Sequence, residues 1–295
     1  GIYFMKKKYF YSPVIALVIY IIIILAPIDY RFTEFFKFYS PILFALVLIA
    51  YAAAFRIAGH GGQILGLSLT AILFGLALSY MWRSGYSDNK IIGGLLPYKD
   101  AFSYYVSANL TASGQQLSVH SIQAARRPLF SGFVTTLLTL TGNNLRLTLA
   151  ILVALMGYTG YLVGQKIYLK FGTLSAALYL SLFFIYAQHQ IGYTHTETLG
   201  LILGNLSLIL LWETVNTKKI AVLIYASFVT ILAISVRAGA FFVLPFIALW
   251  SGYFFRESKR FSWKVFCLSL LAVFISYFLI STLYSRLFVA PGDYS

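Results

Sequence analysis

The chain has 295 residues, of which 60% are apolar and only 10% charged, with a mean hydropathy of +0.83. A water-soluble domain carries about 25% charged residues, so a soluble fold is excluded and an all-α polytopic membrane protein is expected. The net charge of +14 does not point to nucleic acid, because the basic residues are spread over loop after loop beside apolar runs, where they report membrane orientation.

In chain order, Met5 ahead of Lys6-Lys7-Lys8 reads as the natural start, with Gly1 to Phe4 an added segment. The apolar run that follows is long and has no small-x-small cleavage site, so it is not a signal peptide. Crossing a bilayer as a helix takes about 20 apolar residues. Nine stretches are candidates: 9–27, 41–58, 63–82, 143–165, 171–188, 196–213, 219–237, 239–255 and 264–284. The fifth and eighth are short and are expected to be tilted or broken. Gly59-His60-Gly61-Gly62 reads as a glycine-rich turn, without the preceding strand or the following Lys-Ser/Thr of a nucleotide loop. The single cysteine, Cys267, lies in an apolar run, so an internal disulfide and a cysteine-based metal site are both excluded.

Nine spans with the N-terminus in the cytoplasm place 12 of the 22 basic residues inside with two acids, and ten outside with six acids. That agrees with the positive-inside rule. Three of the four histidines (His120, His189 and His195) then face outward, as does the longest inter-helix segment, 83–142. The whole chain, 1–295, reads as one transmembrane module carrying this outer loop.

Within the loop, residues 83–97 hold turn formers, and Asp88 is a solvated loop residue or a second acidic candidate. From Asp100 the pattern becomes helical. Phe102, Val106 and Leu110 form a stripe that Ala101, Tyr105 and Ala112 widen, with Ser103, Ser107 and Thr111 on another face. This describes a helix lying in the membrane interface with its aromatic face in lipid. Pro128, favoured in a first turn, opens a second helix too short to span, which ends before Gly142-Asn143-Asn144.

Four stretches carry a resemblance: "KDAFSYYVSANLTASG", "RRPLFSGF", "YTHTETLGLILGNLSLILLW" and "SVRAGAFFVLP". In order and sidedness they resemble the C-type (GT-C) membrane glycosyltransferases, which transfer sugars from polyprenyl-phosphate or pyrophosphate carriers. The chain departs from the pattern in having two spans ahead of the one that delivers the long loop, and in placing Glu197 where many relatives have Asp.

The resemblance implies an inverting transfer at the outer face, in a bacterial inner membrane, from a polyprenyl-phosphate-linked sugar to an unspecified acceptor. Asp100 would be the general base, although an N-cap role explains it equally well and the two can coexist. Glu197, which opens a span, would position the acceptor or hold a divalent metal ion, the one cofactor left open. Its plain alternative is to complement the helix dipole. His195 precedes it by two residues, about 200° away on a continuous helix, so a shared metal requires His195 to lie outside the helix. His189 and His195 match no common zinc spacing; one of them would bind phosphate or an acceptor hydroxyl. Arg237, Arg126 and Arg127 would stabilise the departing carrier phosphate, or merely contact lipid headgroups. Tyr104 and Tyr105 could line a sugar site. The rival reading is a non-catalytic membrane protein, either a transporter or a subunit of an assembly. Against a transporter, the spans are almost free of ionisable residues near their centres.

Overall fold

A computed structural model describes residues 11–38, 40–57, 59–83, 100–114, 127–236, 242–256 and 260–288. These residues form twelve helices and are all-α: α1 (Tyr11–Leu25), α2 (Tyr30–Phe38), α3 (Ser40–Arg56), α4 (His60–Arg83), α5 (Asp100–Ala112), α6 (Pro128–Leu140), α7 (Leu145–Phe171), α8 (Thr173–Ala187), α9 (Thr196–Thr217), α10 (Ile220–Val236), α11 (Val243–Phe254) and α12 (Trp263–Phe288). Helices are the expected form for apolar runs, because they satisfy their own backbone groups without water. Each of the nine apolar stretches contains one. Length separates them: α4, α7, α9 and α12 are long and apolar enough to cross a membrane. The helices in the fifth and eighth stretches, α8 and α11, have only 15 and 12 residues.

Two expectations change. Residues 30–38, read as part of an outer segment, form a helix. His60, expected in a turn, opens α4 immediately after Gly59, whose φ is +74°. Gly62 is held by close approach, since a Cβ there would lie 2.1 Å from the Ile57 carbonyl oxygen.

The chain divides into two compact units, residues 1–98 with 145–193, and 99–144 with 194–295. In the first, α1 and α7 pack along α4, and α8 packs against α3 and α7. The α7–α8 crossing depends on Gly160 and Gly164, the small-xxx-small spacing that lets membrane helices approach closely. A Cβ at Gly160 would lie 2.2 Å from the Phe183 ring, and one at Gly164 would lie 2.8 Å from Leu180. Gly160→Val is therefore expected to force the helices apart at a cost of about 1–3 kcal/mol. A lowered thermal midpoint in detergent would register it, and an unchanged midpoint would refute the tight crossing.

Two cations close helix C-termini in this unit. Arg83 donates to the Leu25 and Ala26 carbonyls just at the end of α1. Lys37 donates to the carbonyls of Gln188 and Ile191, beyond the end of α8. Such groups satisfy carbonyls that have no intrahelical donor and complement the dipole. Lys37 is only 3% exposed and sits 5.3 Å from the centroid of the Tyr193 ring. Thr33, one turn earlier, is fully buried, while Phe32 and Phe38 are 57% and 49% exposed. Helix α2 thus turns its polar face inward and its aromatic rings outward. That is the reverse of a water-soluble helix and suits one set in lipid. It meets α3 at 89°, well off that helix's direction.

In the second unit, α9 and α10 form a hairpin through Lys218, whose left-handed backbone (φ 51°) ends α9. A hydroxyl hydrogen bond joins Ser207 to Thr230 across it. Ile231, Leu244, Val273 and Ile280 form the apolar core shared by α10, α11 and α12, and α6 packs against α5, α10 and α12.

Candidate functional site

Of the candidate residues, Arg126 and Arg237 lie outside the described residues, as do Asp88 and His120. Asp100, Tyr104, Tyr105, Arg127, His195 and Glu197 belong to the second unit, although the sequence separates them into two distant stretches.

Asp100 is the first residue of α5 and is exposed. It lies inside the first turn, where a carboxylate complements the helix dipole. One residue on, the Ala101 carbonyl accepts a 2.6 Å hydrogen bond from the Thr194 hydroxyl, a residue 93 positions later. Thr194 leads directly into α9. His195 follows in an extended conformation (φ −103°, ψ 148°) as the N-cap residue, so it does lie outside the helix. Thr196 donates its hydroxyl to Glu197 Oε2 at 3.0 Å, and Glu197 is half-buried in the first turn of α9.

One turn further along the same face, α5 meets the beginning of α6. Tyr104 is buried, with its ring edge-on to Phe130 at a centroid distance of 5.0 Å. Arg127 stands just ahead of Pro128, the first residue of α6, and is half-buried. The Thr194–Ala101 bond ties the approach to α9 to the first turn of α5, and the Tyr104–Phe130 contact sets α5 against the first turn of α6; these helix starts carry Glu197, Asp100 and Arg127. Helix N-termini present unsatisfied N–H groups and positive dipole ends, so this arrangement favours an anion.

Helices α5 and α9 also enclose unbonded hydroxyls. Ser107 and Thr198 are each 1% exposed, and their hydroxyls, with that of Thr111, have no hydrogen-bond partner among the described residues. A buried hydroxyl left unbonded costs about 1–3 kcal/mol, which a bound polar molecule or water relieves. Phe102 is 38% exposed, in keeping with an outward aromatic face, but Tyr105 of the same predicted stripe is buried. Tyr105 belongs to the face turned inward with Ala101, Tyr104, Ser107 and Ala108.

Among the described residues no three His, Cys, Asp or Glu side chains come together as metal ligands. His189 is exposed and belongs to the first unit. Sequence reasoning missed Thr194 and Lys37. Only the four-residue spacing of Thr33 and Lys37 in "YRFTEFFKF" signalled a polar helix face, and Thr194 had no local signal. Comparison with protein-family models, curated proteins and solved structures finds no match. The class defined by fold and composition is an all-α protein with several helices suited to a membrane.

Proposed function

We propose that this chain is a membrane glycosyltransferase that moves a sugar from a polyprenyl-phosphate or pyrophosphate carrier to an acceptor hydroxyl at the outer face. The proposal includes nine spans, a cytoplasmic N-terminus and a bacterial inner membrane. What supports it is that the start of α5 is tied to the approach to α9 and set against the first turn of α6, two of these helices being opened by carboxylates and one preceded by an arginine. Asp100, exposed at its helix start, takes the acceptor proton as the acceptor oxygen attacks the anomeric carbon. The bond to the carrier phosphate breaks, its electron pair leaves with the phosphate, and the sugar inverts. Arg127 and the N-terminus of α6 face the negative charge that grows on the phosphate. Glu197, oriented by Thr196, holds the acceptor. The unbonded hydroxyls of Ser107, Thr111 and Thr198 are suited to a polyhydroxylated ligand.

The test is transfer of labelled sugar from a polyprenyl-phosphate donor by purified protein in detergent. Glu197→Gln is expected to raise the acceptor KM and to reduce transfer by about tenfold, corresponding to about 1.4 kcal/mol. The helical signal should stay unchanged. Absence of transfer by the wild type from any polyprenyl-linked sugar would sink the reading.

A further inference from the structure

The first unit contains a cavity of about 220 Å³ that the proposed transfer does not use. Helices α1 and α7 both pack along α4, and the slot between them is walled by Ala16, Ala71, Phe74, Val153 and Ala154. One end is tied shut by the hydrogen bond from the Tyr20 hydroxyl to the Ala150 carbonyl, at 2.9 Å. The Thr70 hydroxyl on the wall is engaged with Tyr51 and with the Gly66 carbonyl, at 2.8 and 2.9 Å. Thus Tyr20 and Thr70 have no hydroxyl left to orient a polar guest, and the lining presents carbon. At the mouth stand Leu17, Leu155 and Tyr158, which are 51%, 38% and 36% exposed. A dry apolar cavity of about 150 Å³ takes up one benzene, so this slot has room for roughly nine carbons.

Basic residues stand at one end of the same unit. The Phe55 ring stacks on Tyr168 at 4.9 Å, which brings Arg56, at the end of α3, to the same end of the unit as Lys166 and Lys170 of α7. Lys166 is eight residues beyond Tyr158, about 12 Å along the helix.

We propose that the slot binds one acyl chain of an anionic bilayer phospholipid, whose headgroup lies against Arg56, Lys166 and Lys170. A phospholipid is the occupant because the mouth opens on the outside of apolar helices. There, bilayer lipid is the solvent and occupancy follows mass action. The inference does not rest on the proposed sugar transfer, and lipid retention reads it separately.

Protein stripped of lipid in detergent is incubated with phosphatidylglycerol or phosphatidylcholine, and retained lipid is counted by native mass spectrometry. One phosphatidylglycerol per chain is expected. Ala154→Phe, which fills the slot, should retain at least tenfold less. Arg56→Gln with Lys166→Gln should abolish the preference for the anionic lipid. Wild-type protein also tests the site without substitution. Phosphatidylglycerol with a photoreactive group at its acyl terminus should label residues 13–20 and 153–158. Labelling spread evenly over the exposed apolar helices would overturn the proposal. So would equal retention by Ala154→Phe, a charge preference that survives the double substitution, or displacement by polyprenyl phosphate at equal concentration.

Discussion

Asp100→Asn is expected to slow sugar transfer by about 10²- to 10⁴-fold, the range contributed by a positioned general base. The thermal midpoint should barely change. Asparagine keeps the volume and can still accept a hydrogen bond, but it cannot take the acceptor's proton. Asp100 is exposed at the start of α5, so its structural contribution is limited to the charge–dipole interaction, about 0.3–1 kcal/mol. A hundredfold loss of rate corresponds to about 2.7 kcal/mol, which exceeds that contribution. Initial rates with a labelled donor, alongside circular dichroism melting, separate the two roles. Activity within twofold of wild type would leave Asp100 as a helix-terminus residue only. A rate loss matched by a large fall in melting temperature would have the same meaning.

Lys37→Met should destabilise the fold more at pH 9 than at pH 6. Burial on α2, a helix outside the nine apolar stretches, lowers the Lys37 amine from its usual value to about 7. In the unfolded chain a lysine titrates near 10.4. Between about pH 7 and 10.5 the unfolded chain therefore holds a proton that the folded one has released, so wild-type stability rises with pH across that window. Below pH 7 the folded state carries a buried ammonium and that gain is lost. At pH 9 the neutral amine still has two N–H groups for the carbonyls of Gln188 and Ile191. Methionine has none, and the loss is expected to be about 2–3 kcal/mol, since an unsatisfied buried acceptor costs about 1–3 kcal/mol. At pH 6 methionine also removes a desolvated charge, and the difference narrows. Melting temperatures in detergent at pH 6, 7.5 and 9 check this. Parallel curves for the two proteins would show that Lys37 does not titrate as its burial requires.

Helix positions were legible because an apolar run withdrawn from water has few ways to satisfy its backbone. Asp100 and Pro128 fell at their helix starts for the same local reasons, charge complementing the dipole and a missing N–H tolerated in the first turn. Burial was harder to read. In α2 the eye follows Phe32, Phe35 and Phe36, yet Thr33 and Lys37 are the residues enclosed. In α5 the side chains enclosed include Tyr104, Tyr105 and Ser107. Apolar patterning finds the inside only when the outside is water; when lipid is outside, polar side chains have the stronger reason to turn inward. The candidate site was half legible. Its acidic residues stood out against apolar surroundings, but the Thr194–Ala101 bond spans 93 positions and leaves no periodic or local trace. The α7–α8 crossing was readable in principle, since Gly160 and Gly164 stand four apart, one turn along the helix.

The two units interleave along the chain, 1–98 and 145–193 in one, 99–144 and 194–295 in the other. During synthesis α5 and α6 therefore emerge before Thr194 and α9 exist to receive them. At about 5–20 residues per second, the intervening 50 or so residues take roughly 3–10 s to appear. For that interval the nascent chain must carry two helices whose inner faces have no final partner. Segments of 13 residues each, too short to be committed across a bilayer, can wait at its surface. Their shortness leaves them free to be received once Thr194 and α9 have emerged.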